Sequence, residues 1–190
     1  MNEKLWWYLS RSTGIVAWAL LTASVLWGLL FSTKLLAGRP TPKWLLDLHR
    51  FLGALAVIFT GVHLATLVAD SYTTFGLREI LVPFAGTWKP APVAAGVLAF
   101  YTLVAVEVSS LTMRRLPRRF WHAIHLTAFA SFWAATVHGI AAGSDRTNRL
   151  LFGAYVAGAG AVVFLTTFRV LADKRRASGR RTSGAAAVTA

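Results

Sequence analysis

Five histidines carry most of the chemistry in this chain, and four of them fall into two similarly spaced pairs. His49 and His63 are fourteen residues apart, and His125 and His138 are thirteen apart, with His122 one turn before His125. The first pair sits inside LLDLHRFLGALAVIFTGVHLATLVA, residues 45–69, an otherwise apolar run. At about 1.5 Å rise and about 3.6 residues per turn, fourteen helical residues put the two imidazoles roughly 21 Å apart, within about 40° of one face. An ionisable group inside such a run is costly and by default marks function. An imidazole best offsets that cost by binding a metal through its neutral nitrogen. The chain has no cysteine, so thiolate sites, iron–sulfur clusters and disulfides are excluded.

The elements that must hold these residues are five long apolar blocks, at residues 12–33, 45–69, 92–112, 120–142 and 150–171. Each is near the roughly 20 residues a helix needs to cross a bilayer. Backbone groups in lipid must be hydrogen-bonded within their own segment, so helices are the expected form. With 56% hydrophobic residues and a mean hydropathy of +0.56, the chain reads as an all-α polytopic membrane bundle of five transmembrane helices, multi-pass in the cell membrane. The first block has no basic n-region with a short core and cleavage site, so it is expected to be retained.

A formal charge of +13 points to nucleic acid in a soluble protein, but here the positions of the charges decide otherwise. Lys34, Arg39 and Lys43 follow the first block; Arg114, Arg115, Arg118 and Arg119 follow the third; Lys174, Arg175, Arg176, Arg180 and Arg181 follow the fifth. All fall on one side of the membrane. On the other side Arg78, Lys89, Arg146 and Arg149 are offset by Asp70, Glu79 and Asp145. The positive-inside rule puts the rich side in the cytoplasm, giving an outside N-terminus and a cytoplasmic C-terminus. No aromatic residues interleave with the basic tail, which argues against nucleic acid and for membrane lipids as the partner.

Along the chain, Trp6, Trp7 and Tyr8 suit the outer headgroup layer, so MNEKLWWYLSRST is expected to lie along that interface. The first helix has no ionisable residue and is read as closing the bundle. Arg50 follows His49 at the cytoplasmic edge, where it either snorkels to lipid phosphate or pairs with a carboxylate of a bound cofactor. The outer connection, residues 70–90, is long enough to be a cover or a mobile loop; Tyr72, Thr73 and Arg78 are its candidates for touching a cofactor or acceptor, and a solvated loop is the plainer reading. Its GLREILVPF stretch looks like a short amphipathic helix on the membrane. Glu107, the one acid inside the third block, is expected to pair with Arg50 or Arg114, with a proton relay as the other reading. Gly153, Ala157 and Ala161 have the small-xxx-small spacing of close helix contact. Residues 172–190 are polar and of low complexity, a tail expected to be disordered beyond a domain of residues 1–171.

Blocks two and four run the same way through the membrane, so His125 shares the inner level with His49, and His138 the outer level with His63. The depths agree. The azimuths do not, because thirteen steps of ideal helix leave the second histidine about 140° out of phase. A π-bulge, a tilt, or ligands reaching two rings from different directions must absorb the difference. Two histidine pairs without carboxylates or thiolates suit six-coordinate b-type haem better than zinc, for which the HxxH of His122 and His125 supplies half a site.

LHRFLGALAVIFTGVH, RRFWHAIH and the later VHG resemble the ferric reductase-like transmembrane domain, and WYLSRSTGIVAW resembles the start of bacterial members. The resemblance extends to about residue 170. It implies two b-type haems, with His49 and His125 on the inner iron and His63 and His138 on the outer. His125 fits the family's Trp-x-x-x-His pattern counted from Trp121, which leaves His122 as a spare near a propionate or a donor. The chain shows five of the six helices common in the family and no flavin or nicotinamide domain. By that resemblance, electrons are expected from a separate flavoprotein, a membrane-bound flavin or a quinol.

The leading expectation is transmembrane electron transfer, an oxidoreductase component passing electrons from a cytoplasmic-side donor to an extracytoplasmic acceptor. A haem subunit feeding a periplasmic methionine sulfoxide reductase is the alternative within the same chemistry. A proton or metal transporter using the histidines is the alternative of another class, and the scarcity of intramembrane acids weighs against it.

Overall fold

The computed structural model describes residues 3–32, 43–70, 75–144 and 147–188, with side chains from residue 5 to residue 174. Lys34, Arg39, Tyr72, Thr73 and Arg146 lie outside the described residues. The helices are α1 (Glu3–Ser32), α2 (Lys43–Ala69), α3 (Leu77–Leu81), α4 (Pro90–Leu111), α5 (Arg118–Leu126), α6 (Ala128–Ala142) and α7 (Arg149–Val188), with a 3₁₀ turn at Met113–Arg115. Among the described residues there is no strand, and five stretches are long and apolar enough to cross a membrane. These are the five blocks expected from the sequence.

Two boundaries differ from expectation. The aromatic segment before the first block is not separate from it: α1 begins at Glu3, so Trp6, Trp7 and Tyr8 sit on the opening turns of the same helix. Arg11 lies over the Trp7 ring at 4.7 Å, one turn on. At the other end the helical backbone of α7 runs past residue 171 to Val188.

The fourth block is two helices. Thr127 is the break: its N–H donates to Ile124 O at 2.9 Å rather than to a carbonyl four residues back, and its Oγ1 donates to the same oxygen at 2.7 Å. A threonine hydroxyl competing for the backbone acceptor bends a helix in this way. Pro117 and the extended Leu116 set the start of α5, and Pro90 at the first turn of α4 starts that helix after a left-handed Lys89.

α1 pairs with α2 and α4 with α6, each along its length, and α1 crosses to α6 and α7. Among the described residues α2 and α6 do not pack closely on one another. The centre is filled by Leu21, Val25, Leu29, Ala56, Leu103, Phe132 and Val162, contributed by five helices, with Phe132 fully buried. Polar groups join the helices across this layer: Trp18 Nε1 donates to Thr136 Oγ1 at 3.0 Å, and Ser131 Oγ to Ala99 O at 2.9 Å. Phe51, Ile58, Leu98, Val137 and Phe164 point outward, as a lipid-facing surface requires.

α7 docks through Tyr155, Gly158 and Val162 rather than through the expected small-residue face. Gly158 lies against Trp18 and Thr22, whereas Gly153 and Ala157 are exposed and nothing lies within 4 Å of a Cβ added at Gly153. The outer connection folds back: Phe75, Ile80 and Val93 pack with Leu64 and Leu67, Gly76 N donates to Glu79 Oε2 at 2.8 Å, and Tyr101 Oη donates to Leu81 O. The amphipathic GLREILVPF stretch thus forms α3 with Ile80 inward and Leu77 and Phe84 outward.

Candidate functional site

α2 and the α5–α6 pair place four histidines at two levels. The rings of His49 and His125 are 6.0 Å apart between centroids, crossed at 68°. Those of His63 and His138 are 6.4 Å apart, crossed at 75°. Both pairs expected from depth alone are therefore brought together. The break at Thr127 separates His125 from His138, so the phase mismatch of an unbroken helix does not apply. The apolar layer around Ala56 and Phe132 lies between the two levels, Ala56 between His49 and His63 and Phe132 between His125 and His138 in the sequence.

Each ring is tied from behind. His63 Nδ1 donates to Ser10 O at 2.7 Å, His138 Nδ1 to Pro92 O at 2.8 Å, and His49 Nδ1 to Ser24 O at 3.1 Å, with Ser24 Oγ at 3.3 Å. A carbonyl oxygen can only accept, so these three rings carry their proton on Nδ1, and Nε2 is left with its lone pair. His125 Nδ1 faces Ser110 Oγ at 3.5 Å, the loosest of the four contacts, and the Trp121 indole stacks on its ring at 5.1 Å. Such partners fix the tautomer and orientation of metal-binding histidines and raise their basicity.

The spacing within each pair fits one metal atom. With a metal about 2 Å from an imidazole nitrogen, and that nitrogen about 1.1 Å from its ring centre, two opposed imidazoles come to about 6.2 Å between centroids. Among the described residues no group of three or more His, Asp or Glu side chains converges. Two imidazoles per level, if they bound a metal, would leave the remaining coordination positions to a cofactor that brings its own. A planar macrocycle with four ring nitrogens would do this, in the space left where α2 and α6 do not pack closely on one another among the described residues. At the outer level this space is a cavity of about 660 Å³ lined by His63, His138, Trp18, Phe100, Leu103 and Tyr155 among others, within the roughly 300–1,000 Å³ of pre-formed cofactor sites. Arg11 and Lys89 also line it, Lys89 Nζ donating to Ala141 O at 3.0 Å.

The other expected site residues are placed less centrally. Arg50 pairs with Asp47 at 3.7 Å, both well exposed. His122 is exposed and touches Trp121 edge-on at 6.3 Å, outside both pairs. Arg78 is exposed on α3. Glu107 is half-buried, its carboxyl against Gly53, and among the described residues it forms no ion pair with Arg50 or Arg114. Among the described residues the buried indole nitrogen of Trp121 has no hydrogen-bond partner, a donor beside the inner pair that a cofactor carboxylate would satisfy.

What residue chemistry alone missed is the role of α1. It was read as a closing helix, yet it supplies the acceptors for both histidines of α2, and α4 supplies those for the other two. A signal was present in the spacing: Ser10 and Ser24 are fourteen residues apart, like His49 and His63, on a helix running the opposite way.

A family model described as ferric reductase like transmembrane component matches residues 13–136, a stretch that holds three of the four paired histidines and stops two residues before His138. No curated protein and no solved structure matches the chain.

Proposed function

The chain belongs to the ferric reductase-like transmembrane family, and from that premise we propose that it carries electrons across the membrane through two bis-histidine b-type haems. His49 and His125 hold the inner haem, and His63 and His138 the outer. The single observation that carries this reading is the pair of ring separations, 6.0 and 6.4 Å, each suited to one iron, at two levels of one bundle. Family membership makes transmembrane electron transfer the general function; the two-haem path, its direction and its partners are our reading.

When bound, haem supplies a one-electron ferric/ferrous couple at each level. The chain's residues do the rest. Ser10, Ser24, Pro92 and Ser110 hold the imidazoles with Nδ1 turned back to α1 and α4. Leu21, Val25, Ala56, Leu103 and Phe132 keep water out of the layer between the two levels. Arg11 and Lys89, on the outer cavity wall, suit the carboxylates of the macrocycle there, and the Trp121 indole suits one at the inner level. Arg114, Arg115, Arg118 and Arg119, exposed at the α4–α5 corner, support a cytoplasmic inner face by the positive-inside rule. The donor on that side is a flavoprotein or a quinol, and the acceptor is extracytoplasmic.

The test is a pyridine haemochrome count on purified protein and on His49→Ala, His63→Ala, His125→Ala and His138→Ala. About two haems per chain are expected, falling to one or none with each change. Stoichiometric zinc without haem in the parent protein, or haem content unchanged in all four variants, overturns the reading. Loss with His122→Ala but not His125→Ala reassigns the inner ligand.

A further inference from the structure

Three glycines stand in a fixed relation to the histidine contacts. Ser10, Ser24 and Pro92 are the carbonyls that accept the imidazole protons, and the residue four positions after each is Gly14, Gly28 and Gly96. Residues four apart stack on one helix face, so the glycine lies directly beside the carbonyl the ring must reach. A Cβ at Gly96 would stand 2.6 Å from His138 Nδ1, and one at Gly14 would stand 3.0 Å from Nδ1 and Cε1 of His63. One at Gly28 would come 3.2 Å from His49 Cε1. Separations under 3.0 Å are essentially never seen for real Cβ atoms, and the atoms met are ring atoms pinned by a hydrogen bond. By contrast a Cβ at Gly61, Gly153 or Gly160 meets nothing within 4 Å.

The fourth histidine is the internal comparison. His125 is backed by Ser110, and the position four residues on is Arg114, past the end of α4 at Leu111. No glycine stands there, and the contact is a side-chain hydroxyl at 3.5 Å instead of a carbonyl at 2.7–3.1 Å. The three rings with a glycine beside the carbonyl reach the main chain; the fourth meets only a hydroxyl.

Resting on the haem reading above, we propose that Gly14, Gly28 and Gly96 are positioning residues of the histidine ligands. Each omits the one atom that would push an imidazole off the carbonyl that orients it. Gly14 and Gly96 serve the outer level from opposite sides, and Gly28 serves the inner level through His49. Each defect is therefore confined to one level, and its severity follows the distances of approach, 2.6, 3.0 and 3.2 Å: Gly96 first, Gly14 next, Gly28 least.

The test compares Gly96→Ala, Gly14→Ala and Gly28→Ala with Gly61→Ala in purified, full-length protein. The readouts are haem count, the low-spin and high-spin electron paramagnetic resonance signals, and the midpoint potential of each haem. Alanine favours a helix over glycine, so propensity alone strengthens all four variants equally. Gly96→Ala is expected to lose one of two haems, or to turn one high-spin, with the potential of the other unchanged. Gly14→Ala affects the same haem less severely, Gly28→Ala shifts only the other, and Gly61→Ala matches the parent. Three variants retaining two low-spin haems at parental potentials overturn the proposal, as does Gly61→Ala behaving like Gly96→Ala. If Gly96→Ala does not accumulate, Gly28→Ala decides: an unaltered inner haem there overturns the assignment. Absence of haem from the parent protein defeats the haem reading itself, a result separate from any of these.

Discussion

Ser110→Ala should raise the midpoint potential of the inner haem alone. Ser110 Oγ is the partner of His125 Nδ1, at 3.5 Å, and among the described residues no backbone acceptor backs it up. An Nδ1–H that donates makes its imidazole a stronger electron donor, which favours ferric over ferrous iron, so removing the acceptor lifts the potential. A net hydrogen bond of about 1 kcal/mol, if felt only in the ferric state, corresponds to about 40 mV for a one-electron couple. A 3.5 Å contact is longer than ordinary N–H···O bonds of about 2.7–3.2 Å, so the expected shift is at most about 20 mV. Ser24→Ala is the control in the same molecule: it removes a hydroxyl 3.3 Å from His49 Nδ1 but leaves the Ser24 carbonyl at 3.1 Å, and should move the inner haem by less. Both are read by spectroelectrochemical titration with haem content held at the parental value. A fall in potential, a shift of the outer haem, or a larger effect from Ser24→Ala than from Ser110→Ala would refute the reasoning.

Phe132→Ala should destabilise the bundle by about 2 kcal/mol, from the cavity term for roughly 100 Å³ at about 24 cal/mol per Å³, the transfer term being small where the unfolded helices also sit in lipid. Phe132 is fully buried, and a loss below about 0.5 kcal/mol in reversible detergent denaturation would mean the layer collapses freely. Arg50→Gln should leave haem content and both potentials unchanged, because the Arg50–Asp47 pair is exposed at 60% and 70% and such pairs contribute about 0–1 kcal/mol. Selective loss of the inner haem in that variant would instead make Arg50 a cofactor contact.

The spans were legible because lipid leaves the backbone one economical choice, and hydropathy reports it directly. The depth of each histidine was legible for the same reason, since rise per residue is nearly constant. Azimuth was not. One residue added to or dropped from regular helical winding shifts the phase by about 100°, so the turn at Thr127 changes where His138 points while leaving its depth almost unaltered. Threonine occurs often enough in membrane helices that nothing marks this one as a break until its Oγ1 is seen on Ile124 O. Glu107 failed differently: a lone acid in an apolar block was matched to nearby arginines by charge, yet the space that receives it is the missing side chain of Gly53.

Gly53 and the three glycines behind the histidines share a logic that residue chemistry does not advertise. A transmembrane glycine is usually assigned to close helix–helix approach, the reading first given to the small residues of α7. Gly153 on that helix meets nothing, while Gly14, Gly28, Gly53 and Gly96 each meet a polar side chain from another helix. In lipid a polar side chain gains most by reaching a main-chain or hydroxyl partner that water cannot supply, and a bare backbone clears the way for a bulky ring to do so. The informative pattern is therefore relational: a glycine four residues after a carbonyl, repeated on one helix at the interval that separates two histidines on its neighbour. Read that way, Ser10 to Gly14 and Ser24 to Gly28 mark α1 as part of both histidine levels, although α1 contributes no histidine to either.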